Sequence, residues 1–390
     1  SLSFKIKETP ISKLSINSNL DVARTGDVVK FSTTAYDDKG KVVSDAPLSY
    51  SFSGESFDKS STAAGLIKDD GRFVAETAGK YLITVTAGEK SISKPLVVYD
   101  RGIQREVITV GTGTVEDKHT SDFWVFEGQD GNDYAVSGTW GADGTTYFWD
   151  VTDPGNLKKI DSVQVDARTV NDGKVSADGK ISIISREGAS NRRNGIVILD
   201  TTNPYDVKTL SEYTTNLTGG VHNLFIYEDH VYALSNGERF YVINIEDPTN
   251  PYEVGMFEIG EKGQAIHDVW IEDGIAYSSN WKHGVYMIDV GNGVAGGSPS
   301  NPVAMANYTY ESGAHHATFP FNSKSTDKFY TVLGDEIFPQ GIDVYTTNET
   351  AGFIHFVDFT DINNPEEVAR YELPGHGSHN YWIEDDILYV

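Results

Sequence analysis

Residues 219–251, GGVHNLFIYEDHVYALSNGERFYVINIEDPTNP, and residues 263–290, GQAIHDVWIEDGIAYSSNWKHGVYMIDV, share one order of residue types. Each has a His followed by Asn or Asp, then an alternating apolar run, an acidic turn and Ala-Tyr or Tyr-Ala. A third apolar run that closes on Asp follows. Because alternation of apolar and polar residues is typical of half-buried strands, the two stretches predict consecutive copies of one small β unit.

The same order recurs along most of the chain. Its units begin at Ser121, Asn171, His222, His267, His316 and His379. Successive starts lie 50, 51, 45, 49 and 63 residues apart. A period near 50 with several short strands per unit predicts a β-propeller, in which each unit is one blade. The link from third to fourth strand also repeats, and its Asp, Asn and Pro residues favour rigid turns: DVTDPGN, DTTNPYD, IEDPTNPYE and DFTDINNPEE.

Residues 1–100 have a different pattern. Short alternating runs such as DVVKFSTTAYD and KYLITVTAG are separated by Gly, Asp and Ser turns, which predicts an all-β sandwich of about seven strands. The segment resembles bacterial immunoglobulin-like domains, and the resemblance implies a spacer or stalk. We therefore predict a sandwich over residues 1–100 and a propeller over residues 101–390.

The propeller region resembles the LVIVD-repeat family of bacterial and archaeal envelope and secreted proteins. The units GIAYSS…GVYMIDV and ERFYVINIEDPTNP, with SREGASNRRNGIVILD and GDEIFP, carry the resemblance. It implies a seven-bladed propeller and a surface or exported location, but no activity. The chain ends after two strands of a unit, so we expect a C-terminal part to be absent. In the alternative, REVITVGTG (residues 105–113) adds a strand that closes a smaller ring.

Composition excludes several classes of partner and site. The formal net charge of −26 opposes binding to nucleic acid or to an anionic membrane surface. The chain contains no Cys, which excludes disulfides and thiolate metal sites. No apolar run approaches the roughly 20 residues of a transmembrane helix. We expect a cell-envelope or secreted protein, with a lipid anchor and a cytoplasmic location both left open.

The repeated histidines are the main candidate site. In a propeller the innermost strand of each blade lines the central channel, so His222, His267, His316 and His379 are expected to converge at one mouth with Asn171 and His119. Imidazoles in this arrangement suit a transition metal; an isolated Ca²⁺ in an Asp-rich turn is also left open. In the structural alternative, each side chain bonds a backbone carbonyl of the next blade, and repetition merely copies that contact.

The loops at the same end vary most between units and predict a ligand-binding face. Their chemically distinctive residues are Trp140, Arg186, Glu187, Arg192, Arg193, Trp281, His283, Asp335 and Glu336. The arginines suit either an ion-pair network with Asp335 and Glu336 or a clamp for a carboxylate.

No catalytic motif is recognised, so no catalytic residue is assigned. The leading interpretation is a non-enzymatic surface or secreted module whose loop face binds a protein or another surface ligand. The alternative is a metal-dependent enzyme that holds a transition metal through the channel histidines.

Overall fold

The computed structural model describes residues 11–102, 107–115, 117–260, 266–310, 314–324, 326–337 and 350–390. The regular structure of these residues is entirely β, which confirms the predicted class. Within the same residues, no helix has the length and apolarity that crossing a bilayer requires. The chain forms two compact units, residues 1–108 and 109–390.

The first unit is a sandwich of two four-stranded sheets, in the orders β1-β3-β6-β5 and β2-β8-β7-β4. Its core contains fully buried side chains from both sheets, among them Phe31, Phe73, Ile83 and Leu96. The strands are β1 (Lys13–Ser18), β2 (Val22–Arg24), β3 (Val28–Tyr36), β4 (Ser49–Ser56), β5 (Gly65–Ile67), β6 (Arg72–Ala75), β7 (Gly79–Ala87) and β8 (Lys90–Tyr99).

The second unit contains five four-stranded antiparallel sheets and one two-stranded sheet within its described residues. In each sheet the strands pair in the order in which they follow along the chain. They are β9 (His119–Glu127), β10 (Asp133–Trp140), β11 (Thr145–Asp150), β12 (Lys158–Gln164), β13 (Gly173–Val175), β14 (Ile181–Arg186), β15 (Gly195–Asp200), β16 (Lys208–Tyr213), β17 (Leu224–Tyr227), β18 (His230–Ser235), β19 (Arg239–Asn244), β20 (Tyr252–Glu258), β21 (Asp268–Glu272), β22 (Ile275–Ser279), β23 (Val285–Asp289), β24 (Val303–Tyr308), β25 (His315–Asn322), β26 (Phe329–Asp335), β27 (Ile354–Asp358), β28 (Glu366–Tyr371), β29 (Trp382–Glu384) and β30 (Ile387–Tyr389).

The first strand of each sheet lies against the first strand of the next, in the order β9, β13, β17, β21, β25 and β29. This sequential contact of inner strands makes the unit a β-propeller with the sheets as blades. Its core lies between adjacent blades, where Tyr232 and Phe240 of one blade pack with Val269 and Ile288 of the next.

One backbone irregularity repeats in every four-stranded blade. The register between the third and fourth strands shifts after Phe148, Ile198, Val242, Met287 and Phe356. A bulge bends its strand and increases the local twist. In the following link, the carboxylates of Asp150, Asp200 and Asp358 accept the amide of the residue two positions on. These Asx turns are the ones that the repeated links predict.

The segment proposed to add a strand forms none in its described part. Residues 107–113 of REVITVGTG have no strand structure, and residues 105–106 lie outside the described residues. Gly111 instead comes so close to the carbonyl of Pro154 that a Cβ there would lie 2.0 Å from it. Gly111 therefore packs beside a turn of the first blade, and the strand of the alternative does not form over residues 107–113.

Asp289 replaces the usual link with an anion-binding loop. Its fully buried side chain accepts backbone N–H bonds from Gly291, Gly293, Ala295 and Gly297 at 2.7–3.1 Å. Burial works to raise the pKa of Asp289, but these four donors outweigh it and hold that pKa at about 2. The loop is thus organised around one ionised carboxylate.

Replacing Asp289 by Asn is expected to lower the free energy of unfolding by about 2–3 kcal/mol at pH 7, since hydrogen bonds to a charged group contribute about 1.5–3 kcal/mol each. The lowered pKa means that the carboxylate stabilises the fold above about pH 3.8 and stops doing so as the pH falls to about 2. Urea unfolding of both proteins from pH 7 to pH 2 measures the difference. A gap between them that does not shrink below pH 4 would contradict this role.

Candidate functional site

The predicted histidines meet at one end of the channel. The ring centroids of His222 and His267 lie 4.9 Å apart, those of His267 and His316 4.4 Å, and those of His316 and His379 4.0 Å. The four imidazoles thus form a continuous series of contacting rings, called the histidine arc below. Each lies near the start of an inner strand. Because the inner strands meet around the axis, residues at the same repeat position come together at the mouth.

A carboxylate faces three members of the histidine arc. Oε2 of Glu336 lies 3.4 Å from Nε2 of His316 and 3.9 Å from Nε2 of His267, and its Oε1 lies 3.7 Å from Nε2 of His379. Glu336 directly follows β26, and its amide donates to the carbonyl of Ala314. The second strand of the fifth blade thus delivers this carboxylate to the channel mouth.

Two of these imidazoles are held neutral. Burial, reinforced by the neighbouring imidazoles, lowers the pKa of His267 to about 3 and that of His316 to about 2. Nε2 of His267 and Nδ1 of His316 are buried and have no hydrogen-bond partner among the described residues. A neutral imidazole with a free ring nitrogen is the form that binds a metal or accepts a hydrogen bond.

Polar side chains join the blades on the other side of the mouth. Ser121 Oγ donates to the carbonyl of Asn171 at 2.7 Å, and Asn171 Nδ2 donates to the carbonyl of His222 at 3.0 Å. In the structural alternative, the side chain at this repeat position bonds a backbone carbonyl of the next blade. Ser121 and Asn171 do so. The side chain of His222 differs, because its Nδ1 lies 2.9 Å from a carboxylate oxygen of Glu187.

A polar cavity of about 270 Å³ adjoins the histidine arc, with Arg168, Glu187, His222, Asn194, Asn236 and four glycines in its walls. The ring of Trp140 contacts His222 edge-on at 6.0 Å, and the guanidinium of Arg168 lies 5.8 Å from that tryptophan ring.

At the neighbouring blade, Trp281 lies 4.5 Å from the ring of His267. The fold thus brings Trp140, Glu187, Trp281 and Glu336, all predicted from loop composition, against the histidine arc.

The arginines of the predicted loop face lie elsewhere. Arg186 is buried and pairs with Glu212 at 2.9 Å, and together with Arg193 these residues line a second cavity of about 210 Å³. Arg192 is exposed and has a positive φ of 59°. Asp335 is buried within the fifth blade, where it bonds His355 at 3.3 Å. The expected pairing of Arg186 with Asp335 and Glu336 is thus replaced by a pair with Glu212.

Two predicted histidines have other surroundings. His119 is exposed and is paired with Trp140 in the ladder of β9 and β10. His283 lies in the loop between β22 and β23, where its Nε2 is buried without a hydrogen-bond partner among the described residues. Neither has a described ring contact with the histidine arc.

No protein-family model and no curated protein sequence matches this chain. Among solved structures, the computationally designed Ika8 protein is 13% identical, covers 95% of this chain and 92% of its own, and has a TM-score of 0.43. The β-propeller domain of Cps50 (Swd1) from Myceliophteria thermophila is 12% identical, covers 82% of this chain and 85% of its own, and has a TM-score of 0.45. At these scores neither likeness carries an argument about family or function, and the propeller assignment rests on strand topology.

A charged layer, not predicted from the sequence, lies next to the mouth on the inner strands of the first two blades. Lys174 is mostly buried, bonds Asp122 at 2.6 Å and also bonds Asp172. Burial raises the pKa of Asp172 well above its usual range, whereas Lys174 outweighs burial and lowers that of Asp122. Asp172 also accepts the backbone N–H of Leu224 in the next blade, so this carboxylate joins two blades.

The other five blades carry aromatic rings around the axis, called the aromatic floor: Trp124, Phe225, Trp270, Phe319 and Trp382. Their centroids follow one another at 4.7–6.0 Å around the axis. Each stands three residues after the first position of its unit. This shared aromatic position is visible in SDFW, HNLF, HDVW, HATF and HNYW, and it is the signal that would have predicted the aromatic floor. Lys174 occupies the corresponding place in the second blade.

A second buried polar network supports the fifth blade. His315 and Asp335 are paired across β25 and β26, and both are fully buried, as is His355, which bonds Asp335. His316 and Glu336 follow these residues directly in the chain. The network therefore fixes the two strands that position His316 and Glu336.

Proposed function

We propose that the propeller is a binding module and that its binding face is the channel mouth with the surrounding loops. The proposal is supported by one observation above all. Aromatic and acidic loop side chains, Trp140, Glu187 and Trp281, contact the histidine arc beside a polar cavity. Aromatic and polar side chains that surround a cavity on a rigid scaffold are typical of a binding site.

The cavity indicates which kind of ligand fits. Its volume of about 270 Å³ is slightly below the roughly 300–1,000 Å³ of typical small-molecule sites. It accepts a single protruding group, such as one amino-acid side chain or one sugar ring. We therefore propose that the ligand is a protein or another surface polymer that inserts one polar group beside Trp140.

The remaining predictions fit this role as proposals. The resemblance to LVIVD-repeat proteins supports a location in the cell envelope or outside the cell. The immunoglobulin-like resemblance of residues 1–100 supports a spacer that presents the propeller of residues 101–390. Seven blades in the whole protein remain a prediction of the same resemblance.

The test uses arrays of defined peptides and glycans probed with the purified protein. Probes that bind the parent should lose roughly tenfold or more of their affinity for Trp140→Ala and Glu187→Gln, because both changes alter the cavity and its rim. Tyr205→Ala is the matched control, since Tyr205 is an exposed aromatic in the link between β15 and β16, at the opposite end of the blade. An absence of binding by the parent, or an equal loss in Tyr205→Ala, would refute the proposal.

A metal-dependent enzyme is the second candidate. It is favoured by the closeness of His267, His316 and Glu336, whose ligand atoms all lie within 4.8 Å of one another. Three protein ligands with an open side are the arrangement of catalytic zinc sites. If this candidate is right, zinc-loaded protein should hydrolyse p-nitrophenyl esters, and Glu336→Gln should abolish the zinc-dependent part of the rate. Equal rates in the two proteins would exclude it.

A further inference from the structure

Within the described parts of the chain, a group of His and Glu side chains able to hold a metal ion lies where blades four, five and six meet at the channel mouth. His267, His316 and Glu336 bring two imidazole nitrogens and a carboxylate together, and His379 lies on their solvent side. We propose that these residues form a binding site for one borderline divalent metal ion such as Zn²⁺. The proposal does not depend on the binding role above; it deepens the second candidate function by naming the ligand set and the metal, and it tests metal binding separately from hydrolysis.

The separations between the ligand atoms fit one ion. With bonds of about 2.0–2.1 Å to zinc, tetrahedral ligand atoms lie about 3.4 Å from one another. Nε2 of His316 is 3.4 Å and Nε2 of His267 is 3.9 Å from Oε2 of Glu336. All three ligand atoms lie within 4.8 Å of one another. Side-chain movements on the order of 1 Å would therefore suffice to place all three at bonding distance.

The hydrogen bonding of the cluster is incomplete without a ligand. Nε2 of His267 is buried and unpartnered among the described residues, although it points toward a carboxylate 3.9 Å away. The side chain of His316 is only 3% exposed, and its Nε2 faces the same carboxylate. Because an unpaired buried polar atom costs free energy, a bound ion would satisfy the ring nitrogen of His267 that the fold itself leaves unsatisfied.

The charge balance points the same way. The carboxylate of Glu336 is only 19% exposed and faces three imidazoles. Among the described ion pairs, no Lys or Arg accompanies Glu336. A divalent cation between the carboxylate and the imidazoles supplies the missing positive charge. The same ion would bridge the imidazoles of His267 and His316, whose rings are otherwise only in van der Waals contact.

The ligand types select the metal. Two imidazoles with one carboxylate suit zinc and similar ions, whereas Ca²⁺ and Mg²⁺ take mainly oxygen ligands. The calcium considered for Asp-rich turns does not fit here. His379 is 59% exposed, and its Nε2 lies 3.7 Å from Oε1 of Glu336, so it is placed to add a fourth bond from the solvent side. His222 is already bonded to Glu187 and stays outside the proposed ligand set.

The experiment titrates chelator-treated, desalted full-length chain with Zn²⁺ by calorimetry, and with Co²⁺ by visible absorption. We expect one ion per chain, and an intense Co²⁺ spectrum typical of four-coordinate geometry. Glu336→Gln and His267→Ala should each weaken binding at least roughly tenfold, while His379→Ala should have a smaller effect. His230→Ala is the matched control, since His230 begins β18, at the opposite end of its blade from the mouth.

Some results would overturn the proposal. These are no Zn²⁺ binding by the parent, the same affinity in Glu336→Gln, or an equal loss in His230→Ala, which would indicate scattered surface binding. If His267→Ala does not fold, Glu336→Gln decides, because it preserves the shape of the side chain. The peptide and glycan arrays, repeated with metal-free protein, separate failure of this site from failure of the binding role.

Discussion

Replacing Lys174 by methionine is expected to lower the free energy of unfolding by about 3–5 kcal/mol, the cost of removing one partner from a buried ion pair. The Lys174 side chain is 11% exposed and holds Asp122 and Asp172 on either side. Methionine fills much of the same volume but leaves the two carboxylates facing each other. Burial and mutual repulsion then favour protonation of one carboxylate. Binding that proton at pH 7 costs free energy, so the variant is less stable than the parent.

Denaturant unfolding at pH 7 measures this loss, and a companion variant tests its cause. Adding Asp172→Asn to Lys174→Met should recover part of the stability, because one of the two opposed charges is removed. Lys208→Met is the surface control: its pair with Asp206 is about 60% exposed on both sides, and solvent screening should make its contribution to stability small. A Lys174→Met protein within about 1 kcal/mol of the parent would show that the buried cluster is not stabilised by its lysine.

Trp270→Ala is expected to lower the free energy of unfolding by about 3 kcal/mol, the low end of the usual range for removing a large aromatic, because Trp270 is partly rather than fully buried. Trp270 is the central member of the aromatic floor and contacts its other four rings at centroid distances of 4.7–6.0 Å. These rings belong to four other blades. The substitution therefore removes contacts between blades rather than contacts within one sheet.

The same unfolding measurement checks this prediction. Trp270→Phe keeps a ring in place and should lose much less stability than Trp270→Ala. Trp140→Ala, at the 43% exposed Trp140 of the loop face, should change the free energy of unfolding by less than about 1 kcal/mol. Equal losses for Trp270→Ala and Trp140→Ala would mean that the aromatic floor does not hold the blades together.

The propeller could be predicted because its blades repeat locally. Short antiparallel strands follow one another along the chain, so a spacing near 50 residues and the Asp-rich links mark each blade. Strand ends were less accurate: β9 begins at His119 and β13 at Gly173, two residues from the predicted Ser121 and Asn171. Strand pairing starts where contacts to the neighbouring blades allow it. The alternation of apolar and polar residues carries no information about those contacts.

The site could be predicted only where it follows the repeat. The four histidines share one repeat position, so their convergence follows from the fold. Glu336 was recognised as part of a distinctive loop, but its place among three histidines depends on contacts across almost seventy residues of chain. The role of Lys174 was missed for a related reason. Lys174 stands where the other five units have Trp or Phe. This difference is the one sequence signal that marks a charged position in the channel.

The aromatic floor also has a kinetic consequence. Trp270 lies in tilted or edge-on contact with the other four rings, so a molecule bound at the mouth is held on the loop side of this ring cluster. A partner bound to the loops would then slow the dissociation of a ligand bound at the mouth. The residence time of the ligand would be at least as long as that of the partner.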